Sequence, residues 1–150
     1  DRVLLSGDAA GFTKPTTGGG IFYAMISGQL AASTMVEAAT ANDFSAEFLE
    51  RYQDKWTHEL RDELLVGMIA RDLIEMLDDK TLEQLINRFV AEVQMDLMRH
   101  GTLSFDWHSQ SIFQTLKNRY VLDLLSSLGP KAAVLVAKIL TYKIKNIVNL

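Results

Sequence analysis

The sequence predicts a mainly α-helical chain, with one short strand at the N-terminus followed by about five helices. After residue 20, apolar residues recur every three or four positions over long stretches, which is the period of helices buried on one face. Five of the nine glycines lie before residue 21, so the segments that follow can stay helical. One apolar run, Val3-Leu4-Leu5, is too short for a helix and ends at Gly7, as a buried strand would.

Length, charge and composition exclude several classes of protein. The 150 residues fit one domain, or one domain and a piece of another. A net charge of −4 argues against a general nucleic-acid binder, because such proteins need an excess of cations. The absence of cysteine excludes disulfides, thiol nucleophiles and cysteine-based metal sites. The strand-like run begins directly after Asp1, so we expect the chain to be the C-terminal part of a longer protein.

The first predicted helix, residues 21–39, has an unusual face. Most of its residues at helical spacing are small, which would let another element approach closely: Ile21, Ala24, Gly28, Ala31, Ala32 and Met35. Gly28 costs about 1 kcal/mol of helix propensity relative to alanine, so we expect a compensating contact there.

Four further helices are predicted. The second covers about residues 44–77, and Asp78-Asp79 then caps a third, which ends near Arg99-His100-Gly101. After a loop at 101–107, a fourth helix runs over 109–128 to the stop signal Gly129-Pro130, and a fifth over 131–150.

Chemistry is concentrated in residues 7–21. A glycine-rich helix start exposes unpaired N–H groups at the positive end of the helix dipole, and can bind phosphate or an anionic ring. Asp8 can accept hydrogen bonds from sugar or ribitol hydroxyls, and Pro15 stiffens the loop. The alternative is a structural turn, but Gly7-Asp8, Pro15 and Gly18-Gly19-Gly20 together favour a binding loop. The three histidines, His58, His100 and His108, are too scattered for a metal site, so none is expected.

These residues resemble a known family. Gly7-Asp8-Ala9-Ala10-Gly11-Phe12, Pro15-x-x-Gly18-x-Gly20-Ile21 and Ser27-Gly28-x-x-Ala31-Ala32 are similar to the second FAD motif of flavoproteins with the p-hydroxybenzoate-hydroxylase-like fold. Gly11 and Ile21 stand where aromatic hydroxylases of this fold usually carry His and Asn, which favours the geranylgeranyl reductase family. The resemblance covers about residues 2–40. It implies the C-terminal part of an α+β FAD-dependent oxidoreductase, with residues 1–42 a piece of the FAD-binding domain and residues 43–150 a helical C-terminal region.

The resemblance also implies roles. Asp8 would bind the ribitol chain of FAD, and Gly7 would allow its close approach. Gly18, Gly19, Gly20 and Ile21 would place helix N–H groups near the pyrimidine edge of the flavin, and Pro15 would shape the loop. No catalytic residue is identified. The family's other FAD motif, Gly-x-Gly-x-x-Gly, is absent from this sequence, so we expect this chain alone to be inactive and to bind little FAD.

The implied enzyme saturates isoprenoid (geranylgeranyl) double bonds in membrane-lipid biosynthesis. Its partners would be an isoprenoid lipid and an external electron donor, either reduced nicotinamide or ferredoxin. Two alternatives stay open: a flavoprotein dehydrogenase that passes electrons to quinone, and a non-enzymatic helical interaction module whose first forty residues only imitate a flavin loop.

The last predicted helix carries a row of lysines, Lys131, Lys138 and Lys145, opposite Val134, Ile139, Tyr142 and Val148. This row could lie on an anionic membrane or simply face water, and both interpretations stay open. No stretch of 18 uncharged apolar residues and no leader is present in the sequence. We therefore expect a cytoplasmic location, with peripheral membrane contact as the alternative.

Overall fold

The fold is mainly helical, as predicted. A computed structural model describes residues 2–88, 104 and 106–148, and within these ranges it contains a 3-10 turn and six α-helices but no strand. The chain divides into two compact units, residues 1–65 and 66–150, and the boundary falls inside the second helix. In chain order the elements are the 3-10 turn Gly7–Ala10, α1 Ile21–Ala41, α2 Ala46–Ile74, α3 Asp79–Arg88, α4 Ser109–Lys117, α5 Arg119–Ser127 and α6 Pro130–Val148.

The predicted N-terminal strand is wrong. Residues 2–6 have no strand structure, and Val3 and Leu5 are 71% and 58% exposed rather than buried. A strand needs a neighbouring strand to pair its N–H and C=O groups, and the described part of the chain offers none. A side chain supplies one anchor, because the Tyr52 hydroxyl donates a hydrogen bond of 2.8 Å to the Leu5 carbonyl.

Helix α1 begins and ends close to the predicted positions. Asn42 ends it by adopting a left-handed conformation with a φ of 52°. Its buried residues, however, are Tyr23, Ser27, Thr34 and Ala38, which do not belong to the predicted small-sided face. On that face Ile21 is 82% exposed, and a Cβ added to Gly28 would meet nothing within 4 Å.

The first unit is held together by packing of α1 against the N-terminal half of α2. Lys55 Nζ of α2 lies 2.6 Å from Glu37 Oε1 and 3.2 Å from Thr34 Oγ1 of α1. Phe12 and Trp56 pack edge to face with ring centroids 5.1 Å apart, which fixes the loop before α1 to the same helix. The buried apolar residues of this unit are Phe12, Tyr23, Ala38, Leu49, Tyr52 and Leu60.

The serine and threonine hydroxyls of α1 donate hydrogen bonds within the helix itself. Ser27, Ser33, Thr34 and Thr40 each donate to the carbonyl oxygen three or four residues earlier, at 2.9–3.2 Å. Ser27 and Thr34 are fully buried. Within the described residues no buried side-chain nitrogen or oxygen lacks a hydrogen-bond partner.

The second unit confirms one predicted cap and corrects one predicted helix. Asp78 Oδ1 accepts a 2.7 Å hydrogen bond from the Thr81 N–H at the start of α3, as the sequence indicated. The single helix predicted over 109–128 is instead two, α4 and α5. Asn118 separates them with extended backbone, and its side chain accepts hydrogen bonds from the N–H groups of Tyr120 and Val121. Asn118 therefore ends one helix and caps the next.

The core of the second unit combines residues of α2, α4, α5 and α6. Its buried apolar residues are Val66, Ile69, Ala70, Leu73, Leu116, Val121, Leu125, Ala132, Leu135, Val136 and Ile139. Lys131 and Lys138 of the predicted lysine row are exposed, and Ile139 is buried as predicted, but Val134 is 54% exposed. The side chain of Lys145 and the predicted helix end near residues 99–101 lie outside the described residues. Of the helices described, none combines the length and apolar character needed to cross a membrane.

Candidate cofactor site

The seven residues predicted to bind a cofactor lie in two successive turns of the first unit. Gly7 and Asp8 begin the 3-10 turn, whereas the rest belong to the loop and first residue of α1: Pro15, Gly18, Gly19, Gly20 and Ile21. Gly7 has a φ of +60°, and a Cβ placed on it would lie 3.1 Å from Ala24 Cβ on α1. Glycine is therefore needed there both for its backbone angle and for its close approach to the helix.

The Asp8 carboxylate lies against the start of α1. A Cβ on Gly20 would overlap Asp8 Oδ1 and would come within 3.0 Å of Thr13 Cγ2. Asp8 and Gly20 are twelve residues apart in the sequence, yet they are in direct contact. The Asp8 side chain is exposed, so its oxygens can accept hydrogen bonds from a ligand.

The loop between these turns is closed by its own backbone. The Lys14 N–H donates to the Gly19 carbonyl at 3.0 Å, and the Gly18 N–H donates to the Lys14 carbonyl at 2.8 Å. Pro15 lies at the start of this closed segment and is half-buried. The loop therefore reverses the chain and delivers Gly20 back to Asp8.

The N-terminus of α1 is open. Gly20 has no side chain with which to cap the helix, and no acidic residue lies in the first turn. Ile21 is 82% exposed, and Gly18 and Gly19 are exposed as well. The site therefore combines the positive end of a helix, whose first N–H groups lack a side-chain cap, with a carboxylate at its side.

A polar cluster that the sequence analysis missed lies beneath the loop. Lys14 and Glu63 are only 8% and 7% exposed, and Tyr23 is 1% exposed. Lys14 Nζ lies 5.8 Å from the centroid of the Tyr23 ring, whose hydroxyl donates to Glu63 Oε2 at 3.5 Å. Glu63 lies three residues after the buried Leu60, so helical periodicity places it on the buried face of α2 and could have identified it. Lys14 gave no such signal, because lysine is usually exposed.

Two hydroxyl groups hold the Gly7-Asp8 turn, and the sequence analysis assigned neither. The Gly7 N–H donates to Ser27 Oγ at 2.9 Å in a fully buried setting, and the Tyr52 hydroxyl donates to the Leu5 carbonyl just before the turn. Burial raises the pKa of Tyr52. Ser27 and Tyr52 thus connect α1, α2 and the turn.

Other candidates do not form sites in the described residues. His58 is exposed, with Nδ1 3.6 Å from Glu59 Oε1, and His100 lies outside the described ranges. No group of three or more potential metal ligands occurs in the part of the chain that the structure describes. An open groove of about 680 Å³ lies away from the glycine loop and is lined by Arg2, Met35, Asn42, Asp43, Phe44 and Ser45.

Comparison with known proteins finds relatives with similar sequences. The chain is 43% identical over 94 residues to digeranylgeranylglycerophospholipid reductase 1 of Methanopyrus kandleri, which covers 63% of this chain and 24% of that protein. It is 36% identical over 85 residues to a digeranylgeranylglycerophospholipid reductase from Methanocaldococcus jannaschii, and this match covers 57% of this chain and 22% of that protein. It is also 37% identical over 98 residues to conditioned medium factor receptor 1 of Dictyostelium discoideum, and this match covers 61% of this chain and 19% of that protein.

The chain spans about a quarter of the length of the curated reductases that it matches. No protein-family model and no solved structure matches it. Several of the matched proteins are digeranylgeranylglycerophospholipid reductases, at 31–43% identity over about 60% of this chain. The predicted resemblance to the geranylgeranyl reductase family is therefore confirmed.

Proposed function

We propose that this chain is the C-terminal part of an FAD-dependent oxidoreductase that saturates geranylgeranyl double bonds in membrane-lipid biosynthesis. The observation that carries the proposal is the contact between the Asp8 carboxylate and Gly20 at the open start of α1. The Asp8 side chain is exposed and the helix start has no side-chain cap, so both the carboxylate and the helix N–H groups are accessible to a ligand. The names of the reductases that the chain resembles supply the substrate class.

The residues fit the flavin end of FAD. Asp8 would accept hydrogen bonds from the ribitol hydroxyls, and Gly7 keeps the turn close to α1. Gly18, Gly19, Gly20 and Ile21 would offer backbone N–H groups to the flavin ring. The positive end of α1 would stabilise negative charge on the reduced ring without any side-chain movement. FAD, when bound and reduced, would supply the hydride for one alkene carbon, and a proton added to the other carbon would complete the saturated bond.

The remaining assignments follow from this proposal. Residues 1–42 would complete an FAD-binding domain in the α+β fold of the full-length protein, and residues 43–150 would form its helical C-terminal region. The partners would be an isoprenoid lipid and an external donor, reduced nicotinamide or ferredoxin. The enzyme would work in the cytoplasm, and Lys131, Lys138 and Lys145 would contact the anionic membrane from which its substrate comes. This chain alone would be inactive.

The first experiment measures FAD in the purified full-length protein. We expect the wild-type protein to be yellow and to retain FAD. Asp8→Ala should weaken FAD binding by about tenfold or more, as expected for the loss of hydrogen bonds to a charged group. Gly20→Ala should also weaken FAD binding, because its added Cβ would displace the Asp8 carboxylate. Asp54→Ala, which removes an exposed carboxylate of the same unit, is the matched control and should leave FAD binding unchanged. A colourless wild-type protein that FAD cannot reconstitute would instead favour the helical interaction module.

A second experiment tests the substrate. The bound flavin is reduced under anaerobic conditions and mixed with a geranylgeranyl lipid. We expect reoxidation of the flavin together with the gain of two hydrogens for each double bond reduced, measured by mass spectrometry. A parallel sample replaces the lipid with a quinone. Reoxidation of the flavin by the quinone but not by the lipid would assign the protein to the quinone-linked dehydrogenases and refute the reductase.

A further inference from the structure

A buried hydrogen-bond network holds the Gly7-Asp8 turn in place. The Gly7 N–H has Ser27 Oγ as its acceptor, and Ser27 in turn donates to the Ala24 carbonyl at 3.2 Å. Ser27 is fully buried, so water cannot replace its hydroxyl without a rearrangement. The turn is thereby tied to the helix whose N-terminus Asp8 contacts.

Tyr52 holds the same segment from the other side. Tyr52 is a buried residue of α2. Its hydroxyl donates a hydrogen bond of 2.8 Å to the carbonyl of Leu5, two residues before Gly7. With no strand partner for residues 2–6 in the described part of the chain, this hydrogen bond anchors the segment that leads into the turn. The turn is therefore fixed at Leu5 and at Gly7, immediately before Asp8.

We propose that Ser27 and Tyr52 are positioning residues that hold the Asp8 carboxylate over the first turn of α1 and so set the affinity for FAD. The proposal rests on the proposed function, since it gives the two hydroxyls a role in the same cofactor site. In this proposal the two hydroxyls bond to backbone groups and not to the cofactor. Both act through the backbone of residues 5–7, which determines where Asp8 lies.

The test uses the full-length protein and measures the FAD dissociation constant by quenching of flavin fluorescence. Ser27→Ala should weaken FAD binding by about tenfold, as expected when a buried N–H loses its acceptor. Thr34→Val is the matched control. Thr34 is fully buried on the same face of α1 two turns away, and its hydroxyl donates to the Leu30 carbonyl and accepts from Lys55, both of which lie outside the turn. This control should change FAD binding by less than about twofold, even if it destabilises the protein as much.

A double-mutant cycle with Asp8→Ala separates positioning from a merely structural role. If Ser27 acts through Asp8, then Ser27→Ala should weaken FAD binding by less than about threefold once Asp8 has been removed. The same tenfold loss in both backgrounds would overturn the proposal, as would equal effects of Ser27→Ala and Thr34→Val. If Ser27→Ala does not fold, Tyr52→Phe enters the same cycle with the same criteria. Failure of the wild-type protein to bind FAD would refute the proposed function, whereas wild-type FAD binding with additive effects refutes only this inference.

Discussion

Replacing Gly7 with alanine should destabilise the first unit, and by more than the same replacement at Gly11, where an added Cβ would meet nothing within 4 Å. Two costs combine at this position. The φ of +60° is unfavourable for alanine by about 1–2 kcal/mol. The new Cβ would lie 3.1 Å from Ala24 Cβ, which is held on a helix and cannot move freely, so overpacking adds about 1–3 kcal/mol. The expected loss in free energy of unfolding is therefore roughly 2–5 kcal/mol.

Gly11 is the matched control. Its φ of +78° carries a similar backbone cost, but an added Cβ would meet nothing within 4 Å. Gly11→Ala should therefore lose only about 1–2 kcal/mol. Both variants add one methyl group at a positive φ, so the difference between their losses in free energy of unfolding isolates the contact with Ala24.

Urea unfolding followed by tryptophan fluorescence measures both variants. The chain has two tryptophans, and Trp107→Phe leaves Trp56 as the reporter of the first unit. Trp56 packs on Phe12, directly after the turn, so its emission should respond to loss of this packing. Equal destabilisation by Gly7→Ala and Gly11→Ala, within about 0.5 kcal/mol, would refute the close approach of the turn to α1.

Three further predictions concern other positions. Gly28→Ala should stabilise this chain by about 1 kcal/mol, because the added Cβ meets nothing within 4 Å; a loss of stability in urea unfolding would contradict the open face. Asn118→Ala should cost about 1 kcal/mol by removing the acceptor for two N–H groups of α5, whereas Asn118→Asp should retain most of that stability in the same assay. The hydrogen bonds from Thr81 hold the pKa of Asp78 below its usual 3.8, so this contribution is present above pH 3.8 and is lost as the pH falls through the lower, folded-state pKa. Asp78→Asn should therefore flatten the acid side of the stability profile, and an unchanged profile would contradict the cap.

The sequence predicted the helices better than their surfaces. The start of α1 at Ile21 followed from the glycine cluster, and the cap at Asp78 followed from its position before an apolar pattern. The small-sided face of α1 is approached closely by Gly7 at Ala24, but the residues that this chain buries in α1 lie on another face. Burial depends on which element lies opposite, and here Lys55 of α2 lies against the face of α1 that carries Thr34.

Two errors have the same kind of cause. Residues 2–6 have the composition of a strand, but strand formation depends on a partner that local sequence does not specify. The break at Asn118 was missed because the apolar residues on both sides fit helical spacing separately. The buried positions step from Leu116 to Val121, five residues rather than three or four, and this irregularity is the signal of the break.

The candidate site was predictable as two loops but not as one surface. Asp8 and the three glycines were identified from residue type, because each has a chemical reason to be there. Their contact depends on chain reversal through the hydrogen bonds between Lys14 and Gly19, which no short motif specifies. Ser27 and Tyr52 could not be assigned from the sequence, since their partners are backbone groups that carry no residue identity.

The internal bonding of the α1 hydroxyls has a consequence for dehydration of this helix. Removing water from a serine or threonine side chain is costly only if its hydroxyl then lacks a partner. In α1 the donor of each of these four hydroxyls already has an acceptor one helical turn back. These four hydroxyls can therefore lose their hydration without requiring a polar group on the opposing surface. At these four positions, a covering layer would need only to match the shape of the helix.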